Sequence, residues 1–171
     1  IGENRKWVNN LPADISVPLV YLTMESQKNI TVVSIDNYLG GRMAMAHLLE
    51  QGCRKIGHIC GPLEWWEARQ RKAAWEDALK ETGLCTEEYQ VVEGNWSPAS
   101  GAAAIEKLFD QYADMDSVFV ANDQMALSAM QFIRKKGLMI PEDIGIVGFD
   151  NLAESAFYSP ALTTIQQDQH K

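Results

Sequence analysis

SVFVANDQMALSAMQFIRKKG, residues 117–137, sets the reading of the whole chain. A short β-branched and aromatic run ends at Ala121, and Asn122-Asp123 follow at once. From there apolar residues recur every three or four positions as far as Gly137. The first part is the pattern of a strand and the second that of an amphipathic helix with a glycine stop. A strand that turns into a helix with almost no loop is the carboxyl end of a βα unit. Asn122 and Asp123 then have two readings. Their side-chain oxygens suit the free N–H groups of a first helical turn, and they also stand where a parallel sheet presents polar groups to a ligand.

The same order repeats outward in both directions. VPLVYL and TVVSID are short strand patterns, GGRMAMAHLLEQG a helix, and KIGHICG a strand. EWWEARQRKAAWEDALKETG is a long helix closed by Gly83, and YQVVEG is a strand. SPASGAAAIEKLFDQY opens with a Ser-Pro helix start. DIGIVGF and LTTI close the series. Strands alternating with helices of this length form right-handed βαβ units, so the expected class is α/β with a doubly wound parallel sheet.

The chain has 171 residues, 46% hydrophobic and 22% charged, with a net charge of −8. That composition builds a globular core, and the negative charge disfavours nucleic acid as a direct partner. Cys53, Cys60 and Cys85 have no paired or CxxC spacing, which fits a reducing compartment. Two sequons, at Asn29 and Asn95, are read as chance. No apolar run approaches a membrane span, and no leader pattern is present. The opening IGENRKW lacks Met, so the sequence is expected to be a piece of a longer chain.

Beyond the strand ends stand Gly61 with Trp65 and Trp66, then Asn95 and Trp96, then Asn122 and Asp123, and then Asp150 and Asn151. Flat indoles stack on the C–H faces of a sugar while Asp and Asn exchange hydrogen bonds with its hydroxyls. Arg71 adds a forked set of donors. Each has a plainer alternative: helix caps for the amides, pairing with Glu64 or Glu67 for Arg71 and Arg69, and core packing for Trp75. His47 and His58 read as packed, and His170 lies in the tail. Nucleotide-binding, nucleophile-elbow and zinc-protease motifs are absent. Binding is therefore expected rather than catalysis, with no cofactor and no metal.

Six segments taken together resemble a family. VVSIDNYLGGRMAMAHLLEQGCRKIGHICGP, EARQRKAAWEDAL, GNWSPASG, VFVANDQMALSAM, IPEDIGIVGFDN and YSPALTTIQQD are similar, in this order, to the effector-binding core of LacI/GalR-type bacterial transcriptional regulators. The resemblance runs from about Thr31 to Asp168. It implies a two-lobed, periplasmic-binding-protein-like fold with the effector between the lobes. Residues 1–50 would be part of a first lobe, 51–160 an essentially complete second lobe, and 161–171 a crossover back toward the first. Arg71, Asn122, Asp150 and Trp96 match effector-contacting positions, and Trp65 and Trp66 join them from the strand-end reading. Asp36, Asn37 and Asp123 are expected to be structural or capping residues. Ala74, Ser128 and Ala161 stand where Gly, Gly and Pro are usual in the family.

The function implied is a cytoplasmic, sugar-responsive regulator acting as a homodimer. Operator DNA would be contacted only through a head outside this sequence. The Met- and Ala-rich helix QMALSAMQFIRKKG is the expected dimer surface. The alternative on the same fold is an extracytoplasmic sugar-binding protein of a transporter.

Overall fold

The computed structural model describes residues 17–18, 20–22 and 31–167. The Asn29 sequon, Asp168 and His170 lie outside these residues. The chain divides into two compact units, 1–34 and 35–171. In the first, β1 (Val20–Leu22) pairs in parallel with β2 (Thr31–Val33), Val20 opposite Thr31.

The second unit holds α1 (Asn37–Glu50), β3 (Ile56–Cys60), α2 (Trp66–Glu81), β4 (Val91–Glu93), α3 (Pro98–Gln111), β5 (Ser117–Val120), α4 (Asp123–Lys135), β6 (Gly145–Asp150) and β7 (Thr163–Gln166). Its five strands run in the order β4-β3-β5-β6-β7 with every pairing parallel. This is the doubly wound α/β sheet expected from the sequence.

Alternation along the strands builds two cores. Val118 and Val120 of β5 pack with Ile59 and Ile146 under α3 and α4, while Phe119 packs with Ile56, Val147 and Phe149 under α1 and α2. The period of two in a strand puts neighbours on opposite faces, and β5 is buried along its length because both faces are covered. Trp75 is core, 1% exposed, and its indole N–H donates to the Ile56 carbonyl.

The compact units divide at 34/35, and α1 packs lengthwise on α2 and against β6 and β7. Ala44, Met45 and Leu48 of α1 are buried in that packing. Residues 163–166 form a strand hydrogen-bonded to β6 in the same sheet. The Met and Ala residues of α4 face inward: Met125, Ala126, Ala129, Met130 and Ile133 are at most 2% exposed. That helix spends its apolar face on the core, and its exposed positions include Gln124, Gln131 and Arg134.

Candidate functional site

All five strands point the same way, so their carboxyl ends share one rim. β3 delivers Gly61, β4 the Gly94-Asn95-Trp96 loop, β5 Ala121 and Asn122, and β6 ends in Asp150. Asn122 takes the capping role at the end of β5. Its Oδ1 accepts from the Met125 N–H at 2.9 Å, capping α4, and its Nδ2 donates to the Trp96 carbonyl at 3.0 Å. The cap therefore ties two strand-end loops together.

Trp96 and Asp150 sit in backbone conformations that L residues avoid, with φ of 71° and 112°. Asn151 beside Asp150 has φ 52°. Such outliers persist only where their surroundings hold them. At Trp96 the hold is visible: its ring lies over Gly61, where a Cβ would stand 2.1 Å from the indole. Trp65 meets the Trp96 ring edge to face at 6.2 Å.

Arg71 is the hub. It projects from the second turn of α2 and is 5% exposed. Its Nε donates to Asn37 Oδ1 at 2.9 Å, and an Nη donates to the Ala121 carbonyl. The guanidinium lies 3.7 Å from the centre of the Phe149 ring and 5.7 Å from that of Trp96, both within cation–π range. Asp150 Oδ1 stands 3.7 Å from the same Nη group.

Burial governs the charges. It pushes the Asp150 carboxyl up to about 6, and the negative charge of Asp123 acts in the same direction. Arg71 and the Gln167 amide, which donates to Asp150, oppose this without overcoming it. Burial also lowers Arg71 to about 10, so it stays a cation at neutral pH. Asp123 is raised, again by burial. Its two carboxylate oxygens accept from the Thr164 hydroxyl at 2.6 Å and the Leu152 N–H at 2.8 Å.

Arg71, Trp96, Asn122, Asp150 and Trp65 thus come together. Trp66 does not join them: it begins α2 half-buried, with no hydrogen bond or ring contact to the cluster among the described residues. Asp36 is the cap of α1, accepting from the Leu39 N–H at 2.8 Å. Asn37, read with it as a structural or capping residue, accepts from Arg71. Phe149, Gln167 and the Ala121 carbonyl also belong to the site and were not read from the sequence. A core phenylalanine and a main-chain oxygen carry no signal there, although the Asp-Asn pair at a strand–helix junction was a usable one for Asn37.

A separate surface groove of about 600 Å³ runs along the edge of the sheet between α2 and β4, with Lys72, Trp75 and Glu93 among its lining. It lies away from the Arg71 cluster. Among the described residues no group of three His, Cys, Asp or Glu is arranged to hold a metal ion, and no helix is long and apolar enough to cross a membrane.

A parallel sheet whose strand ends gather aromatic rings, a buried arginine and a carboxylate is an arrangement suited to holding a small molecule. Residues 45–171 match the family model described as a periplasmic binding protein-like domain. The chain is 37% identical over 154 residues to the HTH-type transcriptional repressor PurR of Haemophilus influenzae, covering 90% of this chain and 46% of that protein. Its fold is similar to that of a transcriptional regulator CelR–cellobiose complex, with a TM-score of 0.85 and 34% identity over 88% of this chain and 47% of that one. A Lac repressor dimer bound to operator and the anti-inducer ONPF gives a TM-score of 0.83 at 34% identity, over 90% and 53%. The chain belongs to the periplasmic binding protein-like domain family, in the branch formed by effector-binding domains of LacI/GalR-type transcriptional regulators. It spans about half the length of the relatives it matches.

Proposed function

We propose that this chain is the sensing part of a cytoplasmic transcriptional regulator and that its effector is a sugar or oligosaccharide. The observation that carries the reading is the convergence of Trp96, Trp65, Arg71 and Asp150 on one rim of the sheet. Indole faces suit the C–H faces of a pyranose, and a cation beside a carboxylate suits its vicinal hydroxyls. The Trp96 indole N–H is buried and has no acceptor among the described residues. It is a donor that a ligand oxygen would satisfy. The similar CelR structure is a cellobiose complex, which supports carbohydrate as the class.

Binding is proposed without turnover, in keeping with relatives that are transcriptional regulators. Effector contacts would favour one of two arrangements of a longer, dimeric protein and so change its hold on operator DNA. A coupling of about 1–3 kcal/mol changes that affinity about 5- to 150-fold. With a net charge of −8 this chain would not supply the DNA contact itself. The matched relatives are regulators, which favours this over a transport protein on the same fold.

The test is a thermal-melt panel of cellobiose, other mono- and oligosaccharides and purine bases against wild type, Trp96→Ala and Asp150→Asn. A ligand at 100 times its Kd contributes about 2.7 kcal/mol, a rise of roughly 5–10 °C for a domain of this size. Support is a sugar-dependent rise in wild type that both variants lose. A response to purines alone would overturn the carbohydrate assignment.

A further inference from the structure

We propose that Asn37 is a positioning residue, one that sets the guanidinium of Arg71 and links it to the segment where the chain enters its second unit. The inference rests on the reading of Arg71 as an effector contact. Asn37 is 1% exposed, and both its groups are committed. Its Oδ1 takes the Arg71 Nε–H at 2.9 Å. Its Nδ2 and its backbone N–H both donate to the Ile35 carbonyl, at 3.1 and 2.9 Å. Ile35 is the first residue of the unit that holds the site.

Helix capping does not account for this amide. Asp36 already caps α1, and Asn37 is the first residue inside the helix. Burying an amide there is unfavourable unless its hydrogen bonds are made, and the ones it makes lead to Arg71 and to Ile35. The guanidinium is a rigid planar fork. Asn37 holds it at Nε and the Ala121 carbonyl holds it at Nη, so two edges fix its plane and leave the remaining N–H groups for Asp150 and a ligand. α1 supports the same group a second time through Gly40, where a Cβ would stand 2.6 Å from the Phe149 ring beneath the guanidinium. A ligand that moves Arg71 therefore acts on residues 35–37, the start of the unit, through two hydrogen bonds.

The experiment uses the full chain with Asn37→Ala, Asn37→Asp and, as a capping control, Asp36→Ala. NMR follows solvent exchange of the Arg71 Nε–H and titration of the Asp150 carboxyl, and calorimetry follows cellobiose binding. Asn37→Ala is expected to speed Nε–H exchange about tenfold or more, as for loss of a hydrogen bond from a charged donor. Arg71 then spends less time near Asp150, so the Asp150 pKa moves further up. Asn37→Asp keeps an acceptor and restores Nε–H protection. Asp36→Ala lowers the melting temperature and leaves both signals unchanged. Should Asn37→Ala not fold, Asn37→Ser, too short to reach Nε, takes its place with the same expectations. Unchanged exchange and an unchanged Asp150 titration in the truncated variant would overturn the proposal. If wild type binds no sugar, the functional reading fails while the two NMR signals still decide the role of Asn37. Where cellobiose binds, its affinity is expected to fall about tenfold in Asn37→Ala, the scale of one hydrogen bond to a charged group.

Discussion

Asp150, half-buried, and His58, fully buried, have pKa values that move in ways that oppose each other in acid. Asp150 is raised from 3.8 to about 6 by burial, so between about pH 4 and 6 the folded chain holds a proton that the unfolded chain has lost. Stability therefore falls as pH rises through that window, and above it the full penalty of the ionised carboxylate applies. At about 1.4 kcal/mol per pH unit the ceiling is about 3 kcal/mol, reduced by solvent because the side chain is 29% exposed. Asp150→Asn is expected to be at least as stable as wild type at pH 7, and the difference between them should shrink toward pH 4 in paired urea melts. His58 runs the other way. Burial lowers it to about 3, its ring lies between Trp75 and Phe119, and its Nδ1 pairs with the Phe119 carbonyl. The unfolded imidazole takes up a proton near pH 6.5 and the folded one does not, so this contribution is lost as pH falls below about 6.5. A His58 imidazole that titrated near 6.5 in the folded protein by NMR would contradict that burial. The positions of Asn122 and Asp150 at strand ends were legible in the sequence because the apolar runs before them stop sharply. Asp36 and Asn37 could not be told apart in the sequence because two adjacent polar residues at a helix start look alike, and only the fold shows that one faces water and the other faces Arg71.

Close helix contacts set the geometry of the layers that carry the site. Gly41 of α1 sits on α2, where a Cβ would stand 2.7 Å from the Ala74 Cβ. The position where family members usually carry glycine is here alanine, and the approach is saved by the glycine opposite. Ala74→Leu is expected to force the two helices apart and to cost about 1–3 kcal/mol, the usual range for overpacking, read as a lower urea midpoint. Gly101 of α3 is tighter still: a Cβ would meet the Met125 carbonyl oxygen at 2.4 Å and the Ser128 hydroxyl at 2.5 Å. Gly101→Ala should destabilise despite the better helix propensity of alanine, because a backbone oxygen cannot turn aside. Gly61→Ala is expected to displace the Trp96 indole and change tryptophan fluorescence without unfolding the sheet. The helices and strands themselves were plain from periodicity and from the Ser97-Pro98 and Gly137 boundary signals. Which face of α4 would be covered was not, since a Met- and Ala-rich stripe fits a core or an interface equally, and here the core takes it.

For the molecule as a whole, the alternation of strand and helix pointed to the class because a parallel sheet covered on both faces has buried, mostly apolar central strands, as in β5. The division of the chain was harder to read. Hydrophobic periodicity says that α1 has an apolar stripe and nothing about which sheet covers it, so the boundary at 34/35 emerged only from packing. The direct test of the central claim is amide chemical-shift mapping of the isotope-labelled chain with the sugar that most raises its melting temperature. The expected result is a saturable set of shifts confined to the strand-end loops around Gly61, Trp96, Asn122 and Asp150, absent in Trp96→Ala. Shifts that gathered instead along the groove beside Lys72 and Glu93, or no saturable response to any sugar, would contradict the assignment of this rim as a carbohydrate effector site.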